Sequence, residues 1–232
     1  MFNGIILIDK PIGWTSFDVV AKIRGIVSLG QPKRVKVGHS GTLDPFASGL
    51  LIILLGSYTK RAEEYTKMDK VYDVTLKLGE NSTTGDPEGE KSTVSDRIPD
   101  KSEIEVVLGK FSGQQMQKPP IYSAIKINGQ RSYDLARQGK AVELKPRDMT
   151  IFENLLTSYR YPEVQFTSRV SSGTYIRSLV EDIGKSLAVG AHTTGLRRTH
   201  VGDYDVKDAI NVLNCSSTEI AKRLLNTLEN KN

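Results

Sequence analysis

GHSGTLDPFASGLLIILLG (residues 38–56) sets an unbroken apolar run, Leu50 to Leu55, between Gly49 and Gly56. The run is too short for an ordinary helix and no polar position interrupts it. It reads as a β-strand covered on both faces. Just ahead of it stands Asp44, the single acid of the stretch. A carboxylate carried toward apolar surroundings is costly unless it is paired, hydrogen-bonded or able to titrate. Asp-Pro commonly opens a turn, and a turn residue can escape to solvent. Gly38, Gly41 and Gly49, however, would let a second backbone come close. A carboxylate at the foot of a buried strand, behind a glycine-rich mouth, can serve as nucleophile or base. Turn residue and reactive group both remain open here.

Outward from this strand, helix and strand signals mix. GIILIDKP (4–11) reads as a strand over Gly4–Asp9, closed by Lys10-Pro11. Thr15 to Asp18 has the form of a capping box, and Val19, Val20, Ile23, Ile26 and Val27 follow at helical spacing. VYDVTLKLG (71–79) alternates as a half-buried strand does, while NSTTGDPEGE (81–90) has the chemistry of a surface loop. Ile104, Val107, Leu108 and Phe111 share one helix face, EVQFTSRVSS (163–172) alternates, and Ile176, Leu179, Val180, Ile183 and Leu187 mark another helix. Ser216 and Glu219 cap a last helix carrying Ile220, Leu224 and Leu228. No strict βαβ rhythm appears, which favours an α+β fold over a doubly wound sheet. With no repeat and no composition shift to mark a linker, one domain with an inserted basic arm is expected.

The charge is concentrated. The chain carries a net +5, and residues 117–147 hold seven cations against Asp134 and Glu143, an excess equal to the total. Tyr122 and Tyr133 lie among those cations, as in a surface that grips phosphates and stacks bases. A solvated basic face with core tyrosines is the alternative. The single Cys215 excludes an intrachain disulfide and fits a reducing compartment. MFNGIILIDK lacks a basic n-region, and no run reaches the roughly 18 apolar residues a span needs. A soluble, cytoplasmic protein is expected. Glycine-rich nucleotide loops and G-x-S-x-G are absent, and His39, His192 and His200 make no compact metal signature. Carboxylates, tyrosines and arginines remain as candidates.

SSGTYIRSLVEDIG (171–184) is the second informative stretch. Gly173 permits a turn from strand into helix, Thr174 is placed to cap it, and Tyr175 and Arg177 fall in the first turn. An arginine there opposes the helix dipole, so it calls for an anionic partner, with Asp44 the first candidate. An exposed arginine lying over the surface is the alternative. Tyr72 reads as a core aromatic, His39 as a loop histidine, and LRR (196–198) as a surface basic pair.

Taken in order, these stretches resemble one family, the TruB-type tRNA pseudouridine-55 synthases. The matching segments are GIILIDKPIGWTS (4–16), GHSGTLDPFASGLLIILLG (38–56), KVYDVTLKLGENSTTGDPEG (70–89), QKPPIYSAIKINGQRSYDLARQGK (117–140), RVSSGTYIRSLVEDIG (169–184) and GAHTTGLRRTHVGDY (190–204). The likeness runs from about residue 4 to residue 210. It implies a pseudouridine-synthase fold, a mixed, mainly antiparallel sheet flanked by helices, with the catalytic domain over 1–210 and a thumb-like basic insertion at about 113–147.

The resemblance also implies isomerisation of one T-arm uridine of tRNA to pseudouridine, with no metal or cofactor, by a monomer needing no protein partner. It makes Asp44 the catalytic aspartate, Arg177 its ion-pair partner, and Tyr72 the aromatic stacked on the flipped base. His39 would fill the vacated place, and Tyr175 and Leu196 would line the uracil pocket. Lys10, Lys118, Lys126, Arg131 and Arg137 would contact substrate. An extruded base needs such a platform and such a filler, and a basic arm with tyrosines suits an RNA loop. Departures are Ser172, where the family often has lysine, Thr83, where aspartate is common, and Ser48, where threonine is common. Many relatives continue into a small RNA-binding domain, often of PUA type; here residues 211–232 leave room only for a short helix. A tRNA-folding chaperone gripping the elbow is the alternative function. A guide-RNA-dependent subunit like dyskerin fits less well, for want of that domain and of basic tails.

Overall fold

The structure, a computed structural model, describes residues 2–225 except 124, 128, 133, 134, 136, 137 and 139–143. Arg137, and with it Tyr133, Asp134, Glu143 and Leu228, lies outside the described residues. The chain forms two compact units, residues 1–71 with 197–232, and residues 72–196. The first holds β1 (Gly4–Lys10), α1 (Ser16–Ser28), β2 (Val37–His39), β3 (Ser48–Leu55) and α2 (Ala62–Thr66). Through β4 (Lys70–Leu78) the chain enters the second, which holds β5 (Glu80–Ser82), β6 (Lys91–Thr93), α3 (Lys101–Lys110), β7 (Gly113–Gln117), β8 (Lys126–Ile127), β9 (Gln130–Arg131), β10 (Arg147–Arg160), β11 (Glu163–Val170) and α4 (Ile176–Ser186). It returns through β12 (Ala191–Val201) to β13 (Tyr204–Asp205), β14 (Ile210–Asn211) and α5 (Ser217–Arg223).

The apolar run at 50–55 is the middle of the first unit. All six side chains are fully buried, as a strand with no polar position requires. Successive side chains point to opposite faces, so the run feeds two cores. Leu51, Ile53 and Leu55 pack with Ile6, Ile8, Val19, Val20, Ile23 and Val27. Leu50, Ile52 and Leu54 pack with Ile5, Leu7, Tyr58, Tyr65 and Val201. Each buried Leu or Ile contributes roughly 1.5–3 kcal/mol, so this strand weighs heavily in the stability of the unit. β1 runs antiparallel to β3 from Gly4↔Leu55 to Lys10↔Gly49, and β2 pairs along the same strand at Val37↔Leu55 to His39↔Ile53. β12 meets β3 in parallel at Arg197↔Ser48 and Arg198↔Gly49, and β14 lies parallel to β1. Helix α1 starts as expected: Thr15 Oγ1 accepts from Asp18 N at 3.0 Å, and Thr15 N donates back to Asp18 Oδ2 at 2.8 Å.

In the second unit the strand order is β12-β4-β11-β10-β7. β10 pairs antiparallel with both β11 and β7. Helix α3 buries Ile104, Val107 and Leu108, and Asn154 on β10 donates to the Leu108 carbonyl at 3.1 Å. The fold is therefore α+β with a mixed, mainly antiparallel sheet. Two local expectations are corrected. Residues 81–90 are not a plain surface loop: β5 and β6 pair there, and Ser82 and Asp86 are buried. The segment is drawn inward because the Gly85 carbonyl accepts from Thr193 N at 3.0 Å. Thr174 does not cap α4 either; Tyr175 stands at that position, and the Thr174 hydroxyl is spent on the Ser171 carbonyl. Among the described residues, no helix is long and apolar enough to cross a membrane.

Candidate active site

Asp44 does begin a turn. Its carbonyl accepts from Ala47 N at 3.1 Å, with Pro45 at the second position, where its fixed φ is favoured. The turn does not carry the residue into open solvent, because Asp44 is half-buried. Its neighbours on both sides are anchored. Ser16 Oγ accepts from Leu43 N at 2.8 Å and donates to Leu43 O at 3.1 Å, and Gly13 N donates to Pro45 O at 2.8 Å. The start of α1 thus fixes the backbone that carries the carboxylate.

The charge around this loop is unusual. Lys10 is fully buried, its ammonium donating to the carbonyls of Trp14 at 2.7 Å and Pro11 at 3.0 Å. Burial pushes its pKa down to about 8, opposed chiefly by the negative charge of Asp44. Lys70 is buried too and likewise pushed down to about 8, first by burial and then by the Arg198 cation. Arg198 is buried as well, its Nε donating to Leu50 O at 2.8 Å and its Nη2 to Gly41 O at 3.2 Å. Arg197 grips Asp9 with two bonds of 3.0 and 2.8 Å. The LRR stretch is thus no surface basic pair: Leu196 is half-buried, Arg197 is paired and Arg198 braces the loop. His39 ends β2 half-buried instead of lying in a loop. Lys10, expected at the substrate, has its ammonium bonded to the carbonyls of its own loop.

The second unit builds around Arg177, which is buried at the start of α4. Its Nη1 donates to Thr84 O at 3.0 Å and Asp86 Oδ2 at 3.2 Å, and its Nη2 to Tyr122 O at 2.7 Å. Asp86 supplies one anion for this arginine within its own unit. Asp86 also accepts from Glu88 N at 3.0 Å. Nearby Glu181 has its carboxyl pushed up by burial. The root of the basic arm is tied to the same helix start: Gln117 exchanges two bonds with the Tyr175 backbone, at 2.8 and 3.0 Å, and Ser178 Oγ donates to Lys118 O at 3.2 Å. Tyr72 is buried on β4, Tyr175 is half-buried and Lys118 is exposed. The side chains of Lys126 and Arg131 lie outside the described residues. Among the described residues, no three His, Cys, Asp or Glu side chains converge as metal ligands.

Two family profiles cover this arrangement: TruB family pseudouridylate synthase (N terminal domain) over residues 29–176, and tRNA pseudouridylate synthase B C-terminal domain over residues 177–222. The chain belongs to the TruB family of pseudouridylate synthases. The tRNA pseudouridine synthase B of Flavobacterium johnsoniae is 43% identical over 214 residues, covering 90% of this chain and 92% of that protein. Its counterpart from Phocaeicola vulgatus is 45% identical over 211 residues, covering 90% and 89%. A crystal structure of a Cbf5-Nop10-Gar1 complex matches with a TM-score of 0.70 and 31% identity over 91% of this chain, which spans about half, 53%, of that longer one.

Within this TruB-family chain, the first unit brings Asp44, Lys10 and Arg198 together and carries His39 at the end of β2. The second holds Tyr72, Tyr175, Arg177 and Leu196. Sequence reasoning missed Asp86, Lys70 and Arg198. Asp86 was hidden in turn-like sequence, although an arginine at a helix start already demanded an acid. Lys70 and Arg198 gave no signal, because a buried cation is invisible until its carbonyl partners are known.

Proposed function

We propose that this protein isomerises one uridine of the tRNA T-arm loop, position 55, to pseudouridine. The C1′–N1 bond breaks, the uracil turns in place, C1′ bonds to C5, and the C5 proton is lost as N1 is protonated. No atom or electron is gained overall, so the step needs no co-reactant. The observation that carries the reading is Asp44: a half-buried carboxylate on a turn whose flanking residues are both anchored, beside a buried ammonium. A held carboxylate can attack C1′ or take a proton from C2′. Family membership and the names of the relatives support the same reading.

In this proposal Arg177 pairs with Asp44 in the assembled site, and Tyr72 stacks on the extruded base and assists loss of the C5 proton. His39 fills the vacancy, and Tyr175 and Leu196 line the uracil pocket. Lys118, Lys126, Arg131 and Arg137 hold the RNA from the arm. The catalytic domain spans residues 1–210, followed by a short C-terminal segment that carries α5 (Ser217–Arg223), and works as a single chain in the cytoplasm. Incubating the protein with a T-arm stem-loop transcript and mapping pseudouridine tests this directly. One loop uridine should convert. Asp44→Asn should convert none while binding the RNA within several-fold; a substantially active variant would overturn the assignment.

A further inference from the structure

Between Asp18 and Asp44 the chain carries Lys22, Arg24, Lys33, Arg34 and Lys36 and no acid at all. This second basic stretch lies outside the arm. Three of its cations, Arg24, Arg34 and Lys36, line a cleft of about 410 Å³ whose wall is completed by Val35, Val37, Gly38 and Thr59. No acidic side chain contributes to the lining. Among the described residues, none of the three cations pairs with a carboxylate. By contrast, Arg61, Lys67, Lys77, Arg97, Lys185 and Arg223 each meet an acid within 3.0 Å, a compensation that, among the described residues, the three cleft cations do not have. Like charges gathered without counter-charge repel one another, so the arrangement favours an incoming anion.

The wall is also set in advance. Arg24 Nη2 donates to Val37 O at 3.1 Å, Val35 N donates to Ser28 Oγ at 3.0 Å, and Gly56 N donates to Lys36 O at 2.8 Å. At about 410 Å³ the cleft is an open surface groove, not an enclosed cavity. It therefore has room for a phosphate with its attached sugar, which the methyls of Val35, Val37 and Thr59 would face. We infer that this cleft binds a phosphate group of the RNA strand, as an anchoring subsite separate from Asp44 and from the arm. The inference rests on the RNA-binding part of the function proposed above.

Arg34 and Lys36 are exposed, so the double variant Arg34→Gln/Lys36→Gln should keep the fold. Its affinity for a labelled T-arm stem-loop is measured by anisotropy across a potassium chloride series. Each lost phosphate contact lowers the slope of log K against log salt by about 0.7–0.9, so the double variant, which loses the one phosphate held in the cleft, should fall by that amount. In parallel, the thermal midpoint of the unmodified protein is followed in inorganic phosphate, or in uridine monophosphate, against chloride of equal ionic strength. A rise lost in the double variant, with the salt slope unmoved, assigns the same chemistry to a free phosphorylated molecule in place of the RNA. No change in either measurement overturns the inference. Absence of pseudouridine formation would remove the catalytic reading alone, since both measurements here report binding.

Discussion

Gly49 offers the sharpest energetic test. It stands at φ +107°, and a Cβ added there would lie 2.3 Å from the Arg198 carbonyl oxygen and 2.7 Å from its amide nitrogen. Gly30 supplies the control: φ is +72°, with nothing within 4 Å of an added Cβ. At either site alanine costs about 1–2 kcal/mol for left-handed backbone. Restriction of the unfolded chain returns about 0.4–1 kcal/mol of that. Gly30→Ala should therefore destabilise by about 1 kcal/mol or less.

Gly49→Ala must in addition push β12 away from β3. That disturbs the Arg198 bonds to Leu50 O and Gly41 O, each worth about 1.5–3 kcal/mol as a bond from a charged donor. A total near 4 kcal/mol is expected, about 3 more than the control. For a chain of this size 1 kcal/mol moves the thermal midpoint by about 2–4 °C, so the two variants should melt about 6–12 °C apart. Urea unfolding followed by circular dichroism gives the free energies. If the two variants agree within about 1 kcal/mol, the close approach at Arg198 is not what requires glycine.

Asp86→Asn removes the buried partner of Arg177 and should lower stability by about 3 kcal/mol in denaturant titration; no change would mean the pair is dispensable to the fold. Tyr72→Phe keeps the ring and its burial, so RNA binding should persist while single-turnover pseudouridine formation slows, and an unaltered rate would remove any part for the hydroxyl. Lys10 should leave a pH signature. Its folded pKa, about 8, lies below the unfolded value of 10.5, so between those values the unfolded chain binds more protons and stability rises with pH. The stability of the unmodified protein relative to Lys10→Met should climb from pH 8 to 10.5 in urea titrations, and a flat difference would place the ammonium in solvent.

Much of the fold is legible from local pattern. The run at 50–55, the Thr15–Asp18 cap and the stripe from Ile176 to Ile183 each express one period, and burial follows that period in the structure. What pattern cannot carry is the partner supplied from far along the chain. Asp86 sits in Gly-Asp-Pro, which is turn chemistry, and the turn is real; its burial comes from Arg177, 91 positions away. Arg198 reads as half of a surface pair because its acceptors, Gly41 and Leu50, lie about 150 positions upstream. The basic stretch around Arg34 was masked by bookkeeping: the arm alone equals the net charge, so the rest sums to zero and hides a second local excess. Asp44 itself was half legible. A turn and a held carboxylate stand as rivals in the sequence, whereas in the structure Asp44 begins a turn and still remains half-buried.

The two-faced burial of β3 has a further consequence for alignment. A strand wet on one side resists sliding, since a shift of one position would drown its apolar set and dry its polar one. β3 has no such safeguard, because a slip would exchange one set of leucines and isoleucines for another. Fidelity must come from the ends. At Gly49 the Arg198 backbone leaves no room for a side chain, and at Gly56 an added Cβ would meet Asn3 Oδ1 at 2.6 Å and Phe2 O at 2.9 Å. Sliding either way would drive a bulky residue into one of these stops. The two glycines behave as detents, clicking the strand into a single setting and so fixing the height at which the Asp44 turn leaves it.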